Sequence, residues 1–401
     1  MTAARVTSTI SAERYAARLA AAQQQLPDED AAALLIGVGA DLQWLTGYAA
    51  KDLERLTLLI VPSAGRATLV VPRLERAAAQ VAAAVQAKLV DIVTWEETED
   101  PFALVAERLA ASNSRPEIQL GALGGAWGRL GGLLVSDRLW ATFLLRLQSA
   151  VPDAAFGLAS AVLGPLRAVK DAEEIELLRA AAHAADRVVA QIASGRLVGR
   201  TEADVAREVR ERLVAEGHDA ADFWIVASGP NSASPHHEPA ERVIGEGEPI
   251  VLDIGGALGG YCSDITRTLW VTGDADVRPT DEFTRLYDVL QRAQDAGRAA
   301  AQEGVPCADI DRVSRSIIAD AGMGDLFIHR TGHGIGLEGH EDPYIVAGNA
   351  EPLAAGNAFS IEPGIYIDGR YGARIEDIVV CTADGPDTLN EASRDLYVVR
   401  G

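Results

Sequence analysis

The sequence predicts two domains, an α/β domain over residues 1–160 and an α+β domain of antiparallel sheet and helices over residues 161–401. Three observations favour this organisation. A chain of 401 residues is long enough for two hydrophobic cores. Short apolar strands alternate with helices in the first part of the chain. In the second part, two helices precede each of two β-hairpins, which indicates an internal αα-ββ duplication.

The first domain begins with an Ala-rich helix over residues 11–25, and a second helix is predicted over residues 73–85. The apolar runs between helices are predicted strands, at residues 31–39, 56–61, 67–71, 89–94 and 118–120. The chain has no histidine before His183 and no cysteine before Cys262. We therefore expect no catalytic site in this domain.

The second domain is predicted to start near Pro165, which interrupts the pattern between residues 160 and 167. Asp171 then begins a long helix as its N-cap, with Glu174 as the capping-box partner. A strand that begins at Phe223 leads into a loop. Three more helices complete the pattern, at residues 201–216, 281–302 and 309–321.

The stretch Pro249–Thr268 carries two carboxylates on a predicted β-hairpin. An apolar run, a glycine-rich turn and a β-branched run follow one another. A turn at Leu258–Gly259 would place Asp253 directly opposite Asp264. A turn at Gly259–Gly260 would shift the pairing by two residues, but the side-chain period of two keeps both carboxylates on one face.

A second hairpin, Phe359–Val379, is predicted to turn at Asp368–Arg370 and to place Glu362 opposite Glu376. A solvent-facing position would be the ordinary explanation for any one of these acids. Two pairs that interrupt apolar runs are costly to bury without a cation, and a divalent metal ion would satisfy them. The glycine-rich segment between the hairpins supplies one imidazole, His333.

The chain resembles the M24 metallopeptidases of the pita-bread fold. Five residues match their ligand set in order and local context: Asp253, Asp264, His333, Glu362 and Glu376. The matching stretches are Asp264–Ile–Thr–Arg–Thr, His333–Gly–Ile–Gly, Glu362–Pro–Gly–Ile–Tyr and Arg374–Ile–Glu376–Asp. The family includes methionine aminopeptidases, Xaa-Pro aminopeptidases and Xaa-Pro dipeptidases (prolidases). The N-terminal pattern weakly resembles the domain that the last two share with creatinases and that methionine aminopeptidases lack.

The donor set predicts the metal. Four carboxylates and one imidazole favour Mn²⁺, with Co²⁺, Zn²⁺ or Fe²⁺ as alternatives. The resemblance implies two ions, which Asp264 and Glu376 bridge. Asp253 would chelate one of them, and His333 and Glu362 would bind the other. The resemblance also implies that a hydroxide between the ions attacks the scissile carbonyl, with Glu362 as the general base.

Two further histidines are catalytic candidates by the same resemblance. His236 and His340 match positions that donate to the substrate carbonyl or to the tetrahedral intermediate. Removing such a donor typically costs about 2.7–4 kcal/mol of transition-state stabilisation. His340 could also help to bind the carboxylate of a dipeptide substrate. The neighbouring His237 is expected to be a bystander.

Three residues are candidate substrate-binding groups: His329, Arg374 and Tyr366. Arg374 lies two residues before Glu376, and Tyr366 lies four after Glu362, so strand parity places both on the metal-binding face. A guanidinium can pair with a carboxylate through two hydrogen bonds. Arg374 is therefore expected to take part in binding a dipeptide's carboxylate.

The predicted function is hydrolysis of Xaa-Pro dipeptides, with Xaa-Pro aminopeptidase activity on longer peptides as the alternative. The expected partners are therefore small peptides with proline at the second position. A methionine aminopeptidase is disfavoured, because the N-terminal domain of this chain would have no counterpart in it. Creatinase acts without metal, and its relatives have lost ligands that this chain retains. A non-catalytic binding module of the same fold would also be expected to lose at least one ligand.

The chain carries 36 Lys and Arg against 58 Asp and Glu, a net charge of −22. Such a surface argues against nucleic acid and anionic membranes as partners. The three cysteines, Cys262, Cys307 and Cys381, are expected to be free thiols. No apolar run approaches the ~20 residues of a membrane span, so we expect a cytoplasmic enzyme. The resemblance also predicts a homodimer in which the loop over residues 44–55 approaches the partner's cleft.

Overall fold

The computed structural model describes residues 10–112 and 132–400. These residues form two compact units, Ile10–Arg167 and the chain from Ala168 onward. The boundary predicted at residues 160–161 lies at the start of a helix that ends at Ala168. The strand predicted over residues 118–120 lies outside the described residues.

The first unit is an α/β sandwich around one mixed sheet. Its helices are α1 (Ala12–Gln25), α2 (Ala40–Thr46), α3 (Arg76–Gln80), α4 (Ala83–Gln86), α5 (Pro101–Ser112), α6 (Ala141–Ala150) and α7 (Ser160–Ala168). Its strands are β1 (Ala31–Ile36), β2 (Leu58–Pro62), β3 (Ala67–Pro72), β4 (Val90–Trp95), β5 (Gly132–Val135) and β6 (Phe156–Leu158). The sheet order is β4-β3-β2-β1-β5-β6. The strands predicted over residues 56–61 and 67–71 are the antiparallel pair β2–β3.

Two predictions for this unit are wrong in detail. The helix predicted over residues 73–85 is divided, because Ala82 has an extended backbone between α3 and α4. Ala82 and Ala84 are both buried, and one face of a continuous helix does not present residues two apart. Pro165 lies inside α7 and does not end it. A proline there removes one backbone hydrogen bond, and burial of Val162 and Leu163 offsets that loss.

The second unit contains four helices and eleven strands within the described residues. Its helices are α8 (Ala172–Ala193), α9 (Glu202–Ala215), α10 (Asp281–Ala300) and α11 (Cys307–Asp320). Its longer strands are β7 (Ala220–Ser228), β8 (Glu248–Leu258) and β9 (Tyr261–Val271). The remaining strands are β10 (Gly332–Gly334), β11 (Glu341–Ile345), β12 (Ala358–Ile361), β13 (Gly364–Ile367), β14 (Tyr371–Arg374), β15 (Asp377–Thr382), β16 (Gly385–Thr388) and β17 (Tyr397–Val399).

Each hairpin of the second unit is covered by the pair of helices that precedes it in sequence. The first sheet, in the order β17-β9-β8-β7, packs its apolar face on α8 and α9. The second sheet, in the order β11-β10-β12-β15-β16, packs on α10 and α11. The hairpin β13–β14 continues the same layer against α10. This arrangement confirms the predicted α+β class with its αα-ββ duplication.

The capping box predicted at the start of α8 is confirmed. Asp171 caps α8, and Glu174 completes the capping box. Thr201 caps α9 through a bond from the main-chain N–H of Asp204. The three cysteines are buried free thiols. None of the helices in the described part of the chain has the length and apolar character of a membrane span.

The first acidic hairpin turns at Gly259–Gly260, so the Leu258–Gly259 turn is wrong. Both glycines have positive φ, +60° and +85°, as a two-residue hairpin turn requires at its central positions. Leucine rarely adopts that backbone conformation. Asp253 therefore pairs with Thr266, and Asp264 pairs with Gly255.

Candidate metal centre and active-site cleft

The carboxylates of the first hairpin lie on the sheet face that turns away from the helices. Ile254 and Ile265 pair across β8 and β9, and both pack into the core beneath α8 and α9. Successive side chains along a strand point to opposite faces. Asp253 and Asp264, each one residue away, therefore face the other side of the sheet.

The second hairpin repeats this alternation. Ile361 and Ile375 pack into the cores that α10 and α11 cover, so Glu362 and Glu376 face away from those helices. The main-chain N–H of Glu376 donates to the carbonyl oxygen of Thr266 at 3.1 Å. This bridge joins the two hairpins and brings their acidic faces together.

Ligand atoms lie within 4.8 Å of one another in three overlapping groups of residues. The groups are Asp253 with Asp264 and Glu376, His333 with Glu362 and Glu376, and Asp264 with His333 and His340. The structure thus brings all five predicted ligands together, and His340 joins them. Asp264 and Glu376 each belong to two groups, and each carboxylate offers two oxygens. The arrangement therefore suits two cations with shared carboxylates.

His333 is oriented as a neutral ligand. Its Nδ1–H donates to the main-chain oxygen of Gly334 at 3.1 Å, which leaves the lone pair on Nε2. Nε2 lies 3.3 Å from Glu362 Oε1 and 3.7 Å from Asp264 Oδ2. Burial lowers the pKa of His333 to about 3. The flanking Gly332 permits close approach, because a methyl group there would lie 1.8 Å from the carbonyl oxygen of Ser360.

The carboxylates are arranged for cations. Burial, reinforced by the neighbouring carboxylates, raises the pKa of Asp264 and of Glu376 well above the ordinary range. Burial also raises the pKa of Glu362 to about 7. Asp253 Oδ1 is buried and has no hydrogen-bond partner among the described residues. The four carboxylates together fit two divalent cations, which would balance their negative charge and coordinate the unpaired Asp253 Oδ1.

Arg374, Tyr366 and His329 form a hydrogen-bonded series that ends at Asp253, a proposed metal ligand. Arg374 Nη2 donates to Asp253 Oδ2, and Nη1 donates to the Tyr366 hydroxyl at 2.8 Å. That hydroxyl donates to His329 Nε2 at 2.9 Å. Burial lowers the pKa of His329 to about 4 and raises the pKa of Tyr366 to about 12. His329 and Arg374 line the cleft, whereas Tyr366 lies behind Arg374, where it supports that side chain.

Three residues that sequence reasoning missed support the ligands. Thr266 Oγ1 donates to Glu376 Oε2 at 2.7 Å, and Ser360 Oγ donates to Glu362 Oε1 at 3.2 Å. Arg267 is fully buried and donates to the main-chain oxygen of Glu376 at 2.6 Å. Strand parity could have found Thr266 and Ser360, because each lies two residues from a ligand on the same face. Removing such supporting contacts typically costs 10–100-fold in metal affinity or activity, on the order of 1–3 kcal/mol.

The five proposed ligands line a cleft of about 870 Å³. Phe223 and Ile225 form an apolar wall from β7, beside the carboxylates. Ile225 pairs with Asp253 across the sheet, and Phe223 pairs with Gly255. A methyl group at Gly255 would lie 2.4 Å from the Phe223 ring, so glycine makes room for that ring. No local pattern predicts this wall, because it depends on which strand pairs with β8.

The loop that carries His236 is held by a buried carboxylate. His236 is exposed and lines the cleft. Glu202 is fully buried and accepts from the Ser228 hydroxyl at 2.7 Å. It also accepts from the Asn231 amide at 3.0 Å and contacts His237 Nε2 at 2.8 Å. His237, expected to be a bystander, is therefore an anchor of this loop.

His340 lies over His333, with the two ring centroids 3.9 Å apart. Arg330 Nη2 donates to His340 Nδ1 at 3.2 Å, which places the imidazole hydrogen on Nε2. Burial, together with the charge of Arg330, lowers the pKa of His340. The contacts therefore give His340 one N–H, on Nε2, that can donate to a substrate.

Metal-stripped protein is expected to lose thermal stability as the pH rises from about 5 to about 8. The raised pKa of Glu362, about 7, makes the folded protein bind more protons than the unfolded chain over this interval. The stabilisation, on the order of 3 kcal/mol for Glu362, is present at low pH and lost through pH 7. Calorimetry should show a decrease in Tm of about 5–10 °C. Metal-loaded protein should lack this decrease, and a flat Tm in stripped protein would contradict the assignment.

Two family models match the chain, the creatinase/prolidase N-terminal domain over residues 18–169 and metallopeptidase family M24 over residues 176–383. The "Probable dipeptidase PepE" of Mycobacterium tuberculosis is 44% identical over 389 residues, 97% of each chain. The crystal structure of a prolidase from Thermococcus sibiricus is 33% identical, with a TM-score of 0.84 over 96% of this chain and 98% of the other. An X-Pro aminopeptidase from Thermotoga maritima is 27% identical, with a TM-score of 0.78 over 94% and 98%.

Proposed function

The chain belongs to metallopeptidase family M24, and from this premise we propose that it is an Xaa-Pro dipeptidase. The observation that carries the proposal is the set of four carboxylates and one imidazole at the floor of a cleft with an apolar wall. The similarity to a protein named dipeptidase and to a prolidase supports a dipeptide substrate with proline.

The proposed cofactor is a pair of divalent cations, Mn²⁺ first, with Co²⁺ or Zn²⁺ as alternatives. The residues that would hold them are Asp253, Asp264, His333, Glu362 and Glu376. When bound, such cations lower the pKa of a water molecule and polarise a carbonyl oxygen. The side chains around them orient the substrate and move its protons.

Glu362 is the proposed general base. Ser360 and His333 contact its Oε1, so Oε2 is the oxygen that would take the proton of the attacking water. The same carboxyl would pass that proton to the proline nitrogen as the peptide bond breaks. The Nε2–H of His340 would donate to the substrate carbonyl oxygen, where negative charge develops. His236, which also lines the cleft, is the second proposed donor.

The apolar wall is the proposed contact for the proline ring. Proline in a peptide bond has no N–H to donate, so a site for it needs apolar surface and no acceptor opposite the nitrogen. Phe223 and Ile225 provide such a surface beside the carboxylates. Burial of the ring against them would contribute roughly 1–2 kcal/mol of binding free energy.

The proposed function predicts a preference for dipeptides. Ala-Pro and Leu-Pro should be hydrolysed with higher kcat/KM than Ala-Pro-Ala or longer peptides, and Ala-Ala should be a poor substrate. A side-by-side assay of dipeptides, tripeptides and pentapeptides with Mn²⁺ supplied measures this. A preference for tripeptides and longer chains would identify the alternative, an Xaa-Pro aminopeptidase, and would leave the metal centre and the chemistry unchanged.

We also propose a homodimer, on the family resemblance. Light scattering at micromolar concentration should give twice the 42.3 kDa mass of one chain. A fully active monomer would contradict the proposal. Both outcomes are independent of the dipeptide assay.

A further inference from the structure

The cleft contains two arginines among its lining residues, Arg330 and Arg374. Arg374 was the sequence candidate for the substrate carboxylate, but its donors are already engaged. Nε donates to Thr266 Oγ1 at 3.1 Å, and Nη1 donates to the Tyr366 hydroxyl at 2.8 Å. Nη2 donates to Asp253, and both Nη atoms approach the carbonyl oxygen of Pro235 at 3.3–3.4 Å. A substrate carboxylate could bind Arg374 only by displacing one of these contacts.

In contrast to Arg374, Arg330 has few hydrogen-bond partners among the described residues. Its guanidinium donates one hydrogen bond, to His340, and lies over the ring of Tyr344 at 4.6 Å. Among the described residues no carboxylate forms an ion pair with Arg330, and its other N–H groups have no acceptor. This is unusual in a chain with 58 acidic residues against 36 basic ones. The stacking on Tyr344 fixes the plane of the guanidinium, so it is ordered before any ligand arrives.

The position of Arg330 matches the length of a dipeptide. The ring centroid of His340 lies 3.9 Å from that of the proposed ligand His333, and His340 Nδ1 lies 3.2 Å from Arg330 Nη2. The His340 ring therefore contacts both the Arg330 guanidinium and a proposed metal ligand. In a dipeptide the terminal carboxylate follows the scissile bond by a single residue, a span of about 3.8 Å. In a tripeptide a neutral amide occupies that place.

We propose that Arg330 binds the terminal carboxylate of the substrate and thereby selects dipeptides over longer peptides. The inference rests on the proposed Xaa-Pro dipeptidase function and adds the residue that sets chain length. A guanidinium can donate two parallel hydrogen bonds to a carboxylate. A peptide carbonyl at the same place can also accept hydrogen bonds, but it carries no negative charge. The stronger contact with the charged carboxylate would therefore favour dipeptides over longer peptides.

The test compares a substrate with its own amide. Mn²⁺-loaded wild-type protein should hydrolyse Ala-Pro about 10–100-fold faster, per kcat/KM, than Ala-prolinamide, which lacks only the charge. Arg330→Gln removes the hydrogen bond to His340 whichever substrate is bound, so the two substrates are compared within the variant. The substitution should lower kcat/KM for Ala-Pro by about 10–100-fold more than it lowers kcat/KM for Ala-prolinamide. Arg330→Lys, which keeps the charge but not the paired N–H groups, should retain an intermediate preference.

Arg292→Gln is the matched control, because Arg292 is exposed on α10 and outside the cleft lining. It removes the same charge and should preserve the wild-type preference. Equal rates for Ala-Pro and its amide in wild-type protein would overturn the inference, whether or not the variants fold. An equal decrease for both substrates in Arg330→Gln would also overturn it, because Arg330 would then act through His340. Absence of any Xaa-Pro hydrolysis by metal-loaded wild type is a separate result, which refutes the proposed function itself.

Discussion

Asp264→Ala is expected to lower kcat/KM by about a thousandfold or more, equivalent to ~4 kcal/mol of transition-state stabilisation. Asp264 belongs to two of the three ligand groups, one with Asp253 and Glu376 and one with His333 and His340. Loss of its oxygens therefore removes donors from both proposed cation positions. Elemental analysis of the purified variant should show less bound metal than in the wild type, and the peptidase assay with added Mn²⁺ measures the loss of activity.

Asp288→Ala is the matched control, since Asp288 is an exposed carboxylate on α10 outside the cleft lining. It should retain wild-type metal content and activity. Chelator treatment of the wild type should likewise abolish hydrolysis, and Mn²⁺ or Co²⁺ should restore it. Full activity in metal-free protein would contradict the proposed metal-dependent mechanism and would favour the creatinase-like alternative. Metal binding without hydrolysis of any peptide would favour the non-catalytic alternative.

The clustering of the five proposed ligands could be predicted because it depends on local patterns. Strand parity fixes which residues share a face, so Asp253 and Asp264 were expected together under either turn, and the register of the second hairpin is as predicted. The choice between the two turns depended on backbone conformation. Two adjacent glycines with positive φ make Gly259–Gly260 the low-energy solution.

The environment of the ligands could not be predicted, because it depends on contacts between distant segments. Arg374 and Asp253 lie 121 residues apart in sequence and are paired by their side chains. Parity placed Arg374 on the metal-binding face but gave no partner for it, so it was expected to meet the substrate. Arg330 carries no periodic signal, since it precedes the short strand β10. Its position over Tyr344 follows from the pairing of β10 with β11.

Glu362→Gln is expected to lower kcat by about a thousandfold or more, even in protein that still binds metal. The amide has nearly the same shape as the carboxyl but cannot take a proton from water or deliver one to the proline nitrogen. KM should change much less than kcat, because the substrate contacts proposed for the apolar wall and Arg330 are retained. Steady-state kinetics on Ala-Pro and elemental analysis of the same sample provide the measurement.

Metal content must be part of that experiment, because Glu362 is also a proposed ligand. Glu362→Asp keeps a carboxyl group at altered reach and should recover part of the lost turnover. Ser360→Ala tests positioning alone, since it removes the donor to Oε1 and leaves the base in place; a decrease of about 10–100-fold is expected. If the metal-loaded Gln variant turns over at a near-normal rate, the general base must be another group, and His340 is then the first residue to examine. If turnover collapses only in proportion to lost metal, Glu362 acts as a ligand and not as the base.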